Sequence, residues 1–224
     1  MIANGFSDAQ SIIIAAVAVV ISYFIGNISP ATLVGRLHGV DIRKEGSGNP
    51  GTTNVLRTLG VKAAACTLLI DVLKGVIPVI AGRLIGGEAL ACFCGTAAFF
   101  GHILPVCFGF KGGKGVATGF GVIVAFNWPT GLVCLFAALG GAALSRRMSV
   151  GSIAAAVIFP IMFFFIKPDY LIWSICLAVI VLWRHRANIV RLAKGEEPPM
   201  SFSKKKGAAD AAGSGSGSDK KGEK

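Results

Sequence analysis

Long apolar runs without a single formal charge constrain this chain more than any other feature. No Asp, Glu, Lys or Arg lies between residues 9 and 35, between 115 and 145, or between 148 and 166. A helix needs about 20 mostly apolar residues to cross a bilayer core. Charged residues make up only 15% of the 224-residue chain, against roughly 25% in soluble proteins. A soluble domain is therefore excluded, and the expected fold is an all-α polytopic membrane protein. The net charge of +11 falls in loops and in the tail, which points to an anionic lipid surface as partner. No basic patch interleaved with aromatics is present, so no nucleic acid is expected. The six cysteines sit in or beside apolar runs without metal-ligand spacing and read as small hydrophobes, with no disulfide framework.

The distribution of Lys and Arg sets an orientation. Residues 1–10 carry Asp8 and no basic residue, so no signal peptide is expected and the N-terminus is placed outside. The first span covers residues 11–26 and continues past a kink at Pro30 to Leu37, ahead of Arg43 and Lys44 on the cytoplasmic side. Spans at 61–85 and 89–108 follow, joined by an outer turn at Gly86-Gly87-Glu88. Runs 116–126 and 131–144 are each short of a full span and read either as two short crossings or as a re-entrant hairpin. Runs 150–166 and 171–183 bring the C-terminus into the cytoplasm. The expectation is about seven transmembrane helices, or five plus a re-entrant hairpin. Trp128, Trp173 and Trp183 are expected at interfaces. Residues 1–203 are expected to form one transmembrane domain, and 204–224, rich in Lys, Gly and Ser, a disordered basic tail.

Either span count brings three polar segments to one cytoplasmic face: 41–60, 109–115 and 184–198. The middle segment leads into Gly109-Phe110-Lys111-Gly112-Gly113-Lys114-Gly115-Val116-Ala117-Thr118, with four Gly and two Lys in ten residues. Glycines let backbone N–H groups approach an anion closely, and the positive dipole end of the helix that follows faces the loop. This describes a phosphate cradle; the plainer reading is a basic hairpin obeying the charge rule. The spacing is one residue short of a Walker A loop and Gly115 replaces its Ser/Thr, so a nucleotide is not implied. Asp71 and Lys74, three apart in an apolar run, read as a mutual pair. Arg184 to Leu192, basic with helical spacing, is explained by an interfacial amphipathic helix.

Three motifs resemble those of the bacterial acylphosphate:glycerol-3-phosphate acyltransferases. Ser47-Gly48-Asn49-Pro50-Gly51-Thr52-Thr53-Asn54-Val55-Leu56-Arg57 resembles the first, with Thr52 where the family usually has Ala. Gly101-His102 and Pro105, followed by Gly109 to Thr118, resembles the second. His185-Arg186-Ala187-Asn188-Ile189 with Arg191-Leu192, Gly195 and Glu197 resembles the third. The resemblance covers roughly residues 11–198. It implies transfer of a fatty acyl group from acyl phosphate to the 1-hydroxyl of sn-glycerol 3-phosphate, yielding lysophosphatidic acid and phosphate. It implies no cofactor and no metal, a bacterial plasma (inner) membrane with the active site on its cytoplasmic face, and the soluble enzyme that makes acyl phosphate as a further partner.

Residue by residue, the resemblance makes Ser47, Arg57, His185 and Asn188 candidate catalytic residues. It places substrate phosphate on Asn49, Asn54, Lys111, Gly112, Gly113, Lys114, Gly115 and Thr118. His102 and Glu197 are supporting residues, Glu197 by pairing a basic side chain. An acyl phosphate has a good leaving group, so positioning and anion neutralisation outweigh a strong nucleophile. Arg57 can hold two phosphate oxygens at once. Ser47 could accept the acyl group transiently or donate a hydrogen bond to phosphate; without a Gly-x-Ser-x-Gly elbow around it, the donor role is favoured. A different acyltransferase class with a His-x4-Asp dyad is excluded, because Arg43, Cys107 and Val190 stand five residues after the three histidines. The alternative from another functional class is a phosphate transporter or anion channel.

Overall fold

The computed structural model describes residues 8–200, and every regular element among them is helical. The basic tail expected to lack structure lies outside the described residues. The first run forms α1 (Asp8–Asn27) and α2 (Pro30–Leu37). The break falls at Ile28-Ser29, and Pro30 starts the second helix, where its missing N–H costs nothing. After a polar loop come α3 (Thr52–Leu59) and α4 (Val61–Ile103). α4 is a hairpin of two arms. Gly86 and Gly87 leave helical geometry, Gly87 with φ +77°, and the second arm folds back so that Gly82 lies against Leu90 and Ala91.

A short α5 (Val116–Phe126) is followed after one residue by α6 (Trp128–Ser145). The break expected over 127–130 shrinks to Asn127, whose side-chain oxygen accepts from the Thr130 N–H (3.1 Å) and hydroxyl (2.8 Å) and so caps α6. α6 is thereby 18 residues long, more than the sequence pattern indicated. α7 (Met148–Ile166), α8 (Leu171–Arg184) and α9 (Arg186–Ala193) complete the chain, with α9 bent 58° from α8. Among the described residues, four stretches are long and apolar enough to cross a membrane. They are Asp8–Leu37, the α4 hairpin within Val61–Phe108, Trp128–Ser145 and Met148–Ile166. The bent pair makes a fifth if taken as one span.

Small residues let these helices touch. A Cβ on Gly26 of α1 would strike the Ala98 backbone, and one on Gly101 would strike the Tyr23 carbonyl. α5 lies as close to the first arm of α4, and Arg83 donates to the Phe126 carbonyl at the far end of α5 (2.7 Å). The core runs from Val79 and Phe99 through Val122 and Phe126 to Phe159, Phe163 and Leu177. Trp173 is partly buried, unlike the other two tryptophans. It packs on Phe126 (5.1 Å between ring centres) and donates its indole N–H to Thr96 (2.7 Å), whereas Trp128 and Trp183 are exposed.

The intramembrane charges form more than a pair. Lys74 Nζ lies 2.8 Å from Asp71 Oδ1 and donates to the Ile28 carbonyl (2.6 Å), which the break between α1 and α2 deprives of a helical donor. Asp71 Oδ1 also lies 3.4 Å from His102 Nδ1. Both charges are almost fully buried. Removing one member of a buried pair leaves the other uncompensated, at a cost of about 3–5 kcal/mol. Lys74→Met should therefore lower the thermal midpoint of the purified protein in detergent, and adding Asp71→Asn should restore much of the loss. Equal midpoints for wild type and Lys74→Met would show that the pair is not what holds α1 to α4.

Candidate active site

The first polar segment is shaped from within. Asn54 accepts from the Ser47 N–H (2.9 Å) and donates to the carbonyls of Ile42 and Glu45 (both 2.9 Å). Gly46 and Gly48, with φ +56° and +69°, complete the turn. Asn54 thus shapes the loop with its amide, and it also borders the cavity described below. The Ser47 side chain is exposed. Arg57, on α3, reaches the Pro198 carbonyl with one guanidinium nitrogen (3.3 Å).

The glycine-lysine loop is held by protein contacts. Gly113 donates its N–H to the His102 carbonyl (3.2 Å). Arg184 donates to the carbonyls of Gly112 (2.8 Å) and Gly113 (2.9 and 3.2 Å). A Cβ on Gly112 would strike the His102 carbonyl, and one on Gly113 the His102 ring. These two glycines are therefore required by the close approach of the loop to α4, and the Gly113 N–H is already engaged. Gly115, with φ +84°, turns the chain into α5. Lys111 is exposed and Thr118 is buried against Gly75 of α4; neither lines the cavity described below.

The third segment supplies the anchor. Glu197 is buried and accepts from Ser149 of α7 (2.8 Å) and from Asn188 (2.7 Å) and Arg191 (2.7 Å) of α9. Lys114 Nζ donates to the other end of the Asn188 amide (2.5 Å). Burial by itself would raise the Glu197 pKa, but the hydrogen bonds from Asn188, Ser149 and Arg191 outweigh it and hold the carboxyl below its usual range. Burial pushes Lys114 down to about 8; Glu197 opposes this, and Arg191, Arg57 and Arg184 add to it. His185 is buried at the break between α8 and α9. Its Nδ1–H donates to the Val181 carbonyl (2.8 Å), which leaves Nε2 to accept.

These segments surround one cavity of about 310 Å³. Its mouth is lined by Ser47, Asn49, Arg57, Lys114, His185 and Asn188, with Gly115 to Ala117 bringing the positive end of α5 to it. Its depth is lined by apolar side chains of α5 to α8. His102, Asp71 and Glu197 also border it. The three polar segments therefore meet as their common face predicted. Sequence reasoning missed the link from Asp71 to His102 and the carbonyl clamp made by Arg184, since neither follows from spacing along the chain. Ser149 carried no signal at all. The contact of Gly113 with His102 has a direct consequence. Gly113→Ala should lower the thermal midpoint, with overpacking costing about 1–3 kcal/mol. Gly140→Ala, where a Cβ meets nothing within 4 Å, should not lower it. Equal midpoints for the two variants would show that the loop gives way freely.

The glycerol-3-phosphate acyltransferase family model matches residues 16–195. A glycerol-3-phosphate acyltransferase of Thioalkalivibrio sulfidiphilus is 44% identical over 192 residues, spanning 84% of this chain and 95% of that protein. One from Methylococcus capsulatus is 45% identical over 180 residues, 79% of this chain and 91% of its own. The crystal structure of PlsY (YgiH), an integral membrane glycerol 3-phosphate acyltransferase, is similar in its glycerol 3-phosphate form with a TM-score of 0.80 and 37% identity. That match covers 84% of this chain and 96% of the other. Its lysophosphatidic acid form gives a TM-score of 0.78 and 36% identity. On a match that takes in the first two polar segments, most of the third and the helices carrying them, this chain belongs to the glycerol-3-phosphate acyltransferase family and is a membrane-embedded acyltransferase.

Proposed function

We propose that the enzyme transfers a fatty acyl group from acyl phosphate to the 1-hydroxyl of sn-glycerol 3-phosphate. The products are lysophosphatidic acid and inorganic phosphate. The reaction takes place at the cytoplasmic face of a bacterial plasma membrane. The observation that carries this reading is a single cavity with a cationic, hydrogen-bonding mouth and an apolar depth. Such a cavity fits two phosphate groups held beside a lipid tail. Family membership removes the transporter alternative.

The glycerol 3-phosphate hydroxyl oxygen attacks the acyl carbonyl carbon, and the bond from that carbon to the phosphate oxygen breaks. The departing phosphate takes up the hydroxyl proton; His185 Nε2, unused within the protein, is a second acceptor. Arg57 and Lys114 neutralise the phosphates, and the Ser47 hydroxyl donates to one of them. Asn188 orients Lys114, and Glu197 holds Asn188. Glycerol 3-phosphate is read at the α5 end of the mouth, where Lys114 and Gly115 lie. The engaged N–H of Gly113 moves that contact away from Gly113 itself.

The donor is tested with purified enzyme in detergent. Palmitoyl phosphate should yield lysophosphatidic acid and palmitoyl-CoA should not, because no nucleotide-binding motif is visible. Equal rates with both donors would remove acyl phosphate as the assigned donor.

The Lys114 titration sets a pH dependence with a definite sign. Below a pKa of about 8 the side chain is cationic and attracts the substrate dianion; above it the charge is lost. kcat/KM for glycerol 3-phosphate, which reports the free enzyme, should fall about tenfold per pH unit on the alkaline side. In Lys114→Arg the charge persists, so the rate should be lower throughout but the alkaline limb should move up in pH. An unchanged limb in this variant would assign the titration to another group.

A further inference from the structure

We propose that Ile123, Cys134, Phe159 and Leu177 form the floor of an acyl-chain slot and set the longest chain that the enzyme accepts. This rests on the acyl donor reading above and adds the residues that measure the tail. The four side chains come from four helices, and on each of these helices they are the last residues to line the cavity. On α7 it is bordered down to Phe159 but not by Phe163. On α5 it reaches Ile123 but not Phe126, and on α8 Leu177 but not Trp173. On α6, which runs the other way, Cys134 is the last lining residue and Thr130 is beyond it.

Behind this level lies a plug that cannot easily yield. Phe159 meets Phe163 at 4.8 Å and Trp173 at 5.8 Å between ring centres, and Phe126 meets Tyr170 at 4.9 Å. The hydrogen bond from the Trp173 indole to Thr96 fixes the ring on which Phe159 leans. Interiors packed in this way resist local expansion. Above Phe159 the α7 wall is lined by Ser152, Ala155 and Ala156, small residues that leave width for a chain.

The depth can be counted. Ser149 borders the polar mouth and Phe159 the floor, ten residues apart on one helix, which is about 15 Å at 1.5 Å per residue. An extended chain advances about 1.2 Å per bond. The slot therefore takes on the order of a dozen bonds before the floor is met. One helical turn, about 5.4 Å, corresponds to roughly four carbons.

The test uses Ala156→Leu, which raises the floor by one turn, and Phe159→Ala, which lowers it. Phe159→Leu is the milder version should the alanine variant lose its fold. kcat/KM is measured with acyl phosphates of 10 to 18 carbons. Ala156→Leu should shift the preferred length about four carbons shorter, with at least a tenfold change in the long-to-short ratio. The Phe159 variants should shift it longer. If both substitutions scale every chain length by one common factor, the floor does not measure the tail. Wild-type turnover with any acyl phosphate decides the donor reading separately. Should it be absent, the same ranking is read from thermal stabilisation by 1-acyl glycerol 3-phosphates of graded length, which depends on the slot and not on the donor. A flat ranking there would equally overturn the proposal.

Discussion

The site depends on one buried carboxylate. Glu197 gathers Ser149 from α7 and Asn188 and Arg191 from α9, and through Asn188 it fixes the ammonium of Lys114 ahead of α5. Four cations, Arg57, Lys114, Arg184 and Arg191, crowd the same volume, and their mutual repulsion opposes folding. A single carboxylate offsets part of that repulsion and leaves a positive surplus. The surplus positive potential at this end of the cavity is of the sign that draws in anions. The hydrogen bonds to Glu197 also explain how a carboxylate stays ionised where burial alone would favour its neutral form.

A second chain of contacts ties that mouth to the membrane core. The break before Pro30 frees the Ile28 carbonyl, Lys74 takes it up, Asp71 balances Lys74, and Asp71 approaches His102. His102 in turn supports Gly113 by its carbonyl and its ring, and Arg184 clamps the same peptide from α8. Charges that are costly in an apolar interior thus support the residue on α4 that holds the glycine-lysine loop. The loop is glycine-rich because it must come this near to α4, whatever it also offers to a ligand.

Polar mouth and apolar depth share one cavity because α5 is short. It begins below the loop at Val116 and ends at Phe126 beside Arg83, so the loop enters the bundle rather than lying over it. Aromatic side chains then close the bundle at the opposite end. A water-soluble phosphate ester and a lipid tail can meet at such a boundary without either being wholly removed from its own solvent.

By itself the sequence determined the class of fold, because uncharged runs of this length leave backbone polar groups no partners in lipid except within helices. It also determined that 41–60, 109–115 and 184–198 share a face, since Lys and Arg placement depends on local charge alone. Helix limits were less legible: Asn127 caps α6 through a side-chain bond that no hydropathy pattern records. Only the tertiary structure decided what the polar residues touch. Asn54 turns inward to its own loop, the Thr118 carbonyl lies against Gly75 of α4, and Gly113 faces His102, whereas Lys114 turns to Asn188 across 74 positions. Hydrogen-bond geometry between segments distant in the chain is a property of packing, and spacing within any one motif cannot encode it.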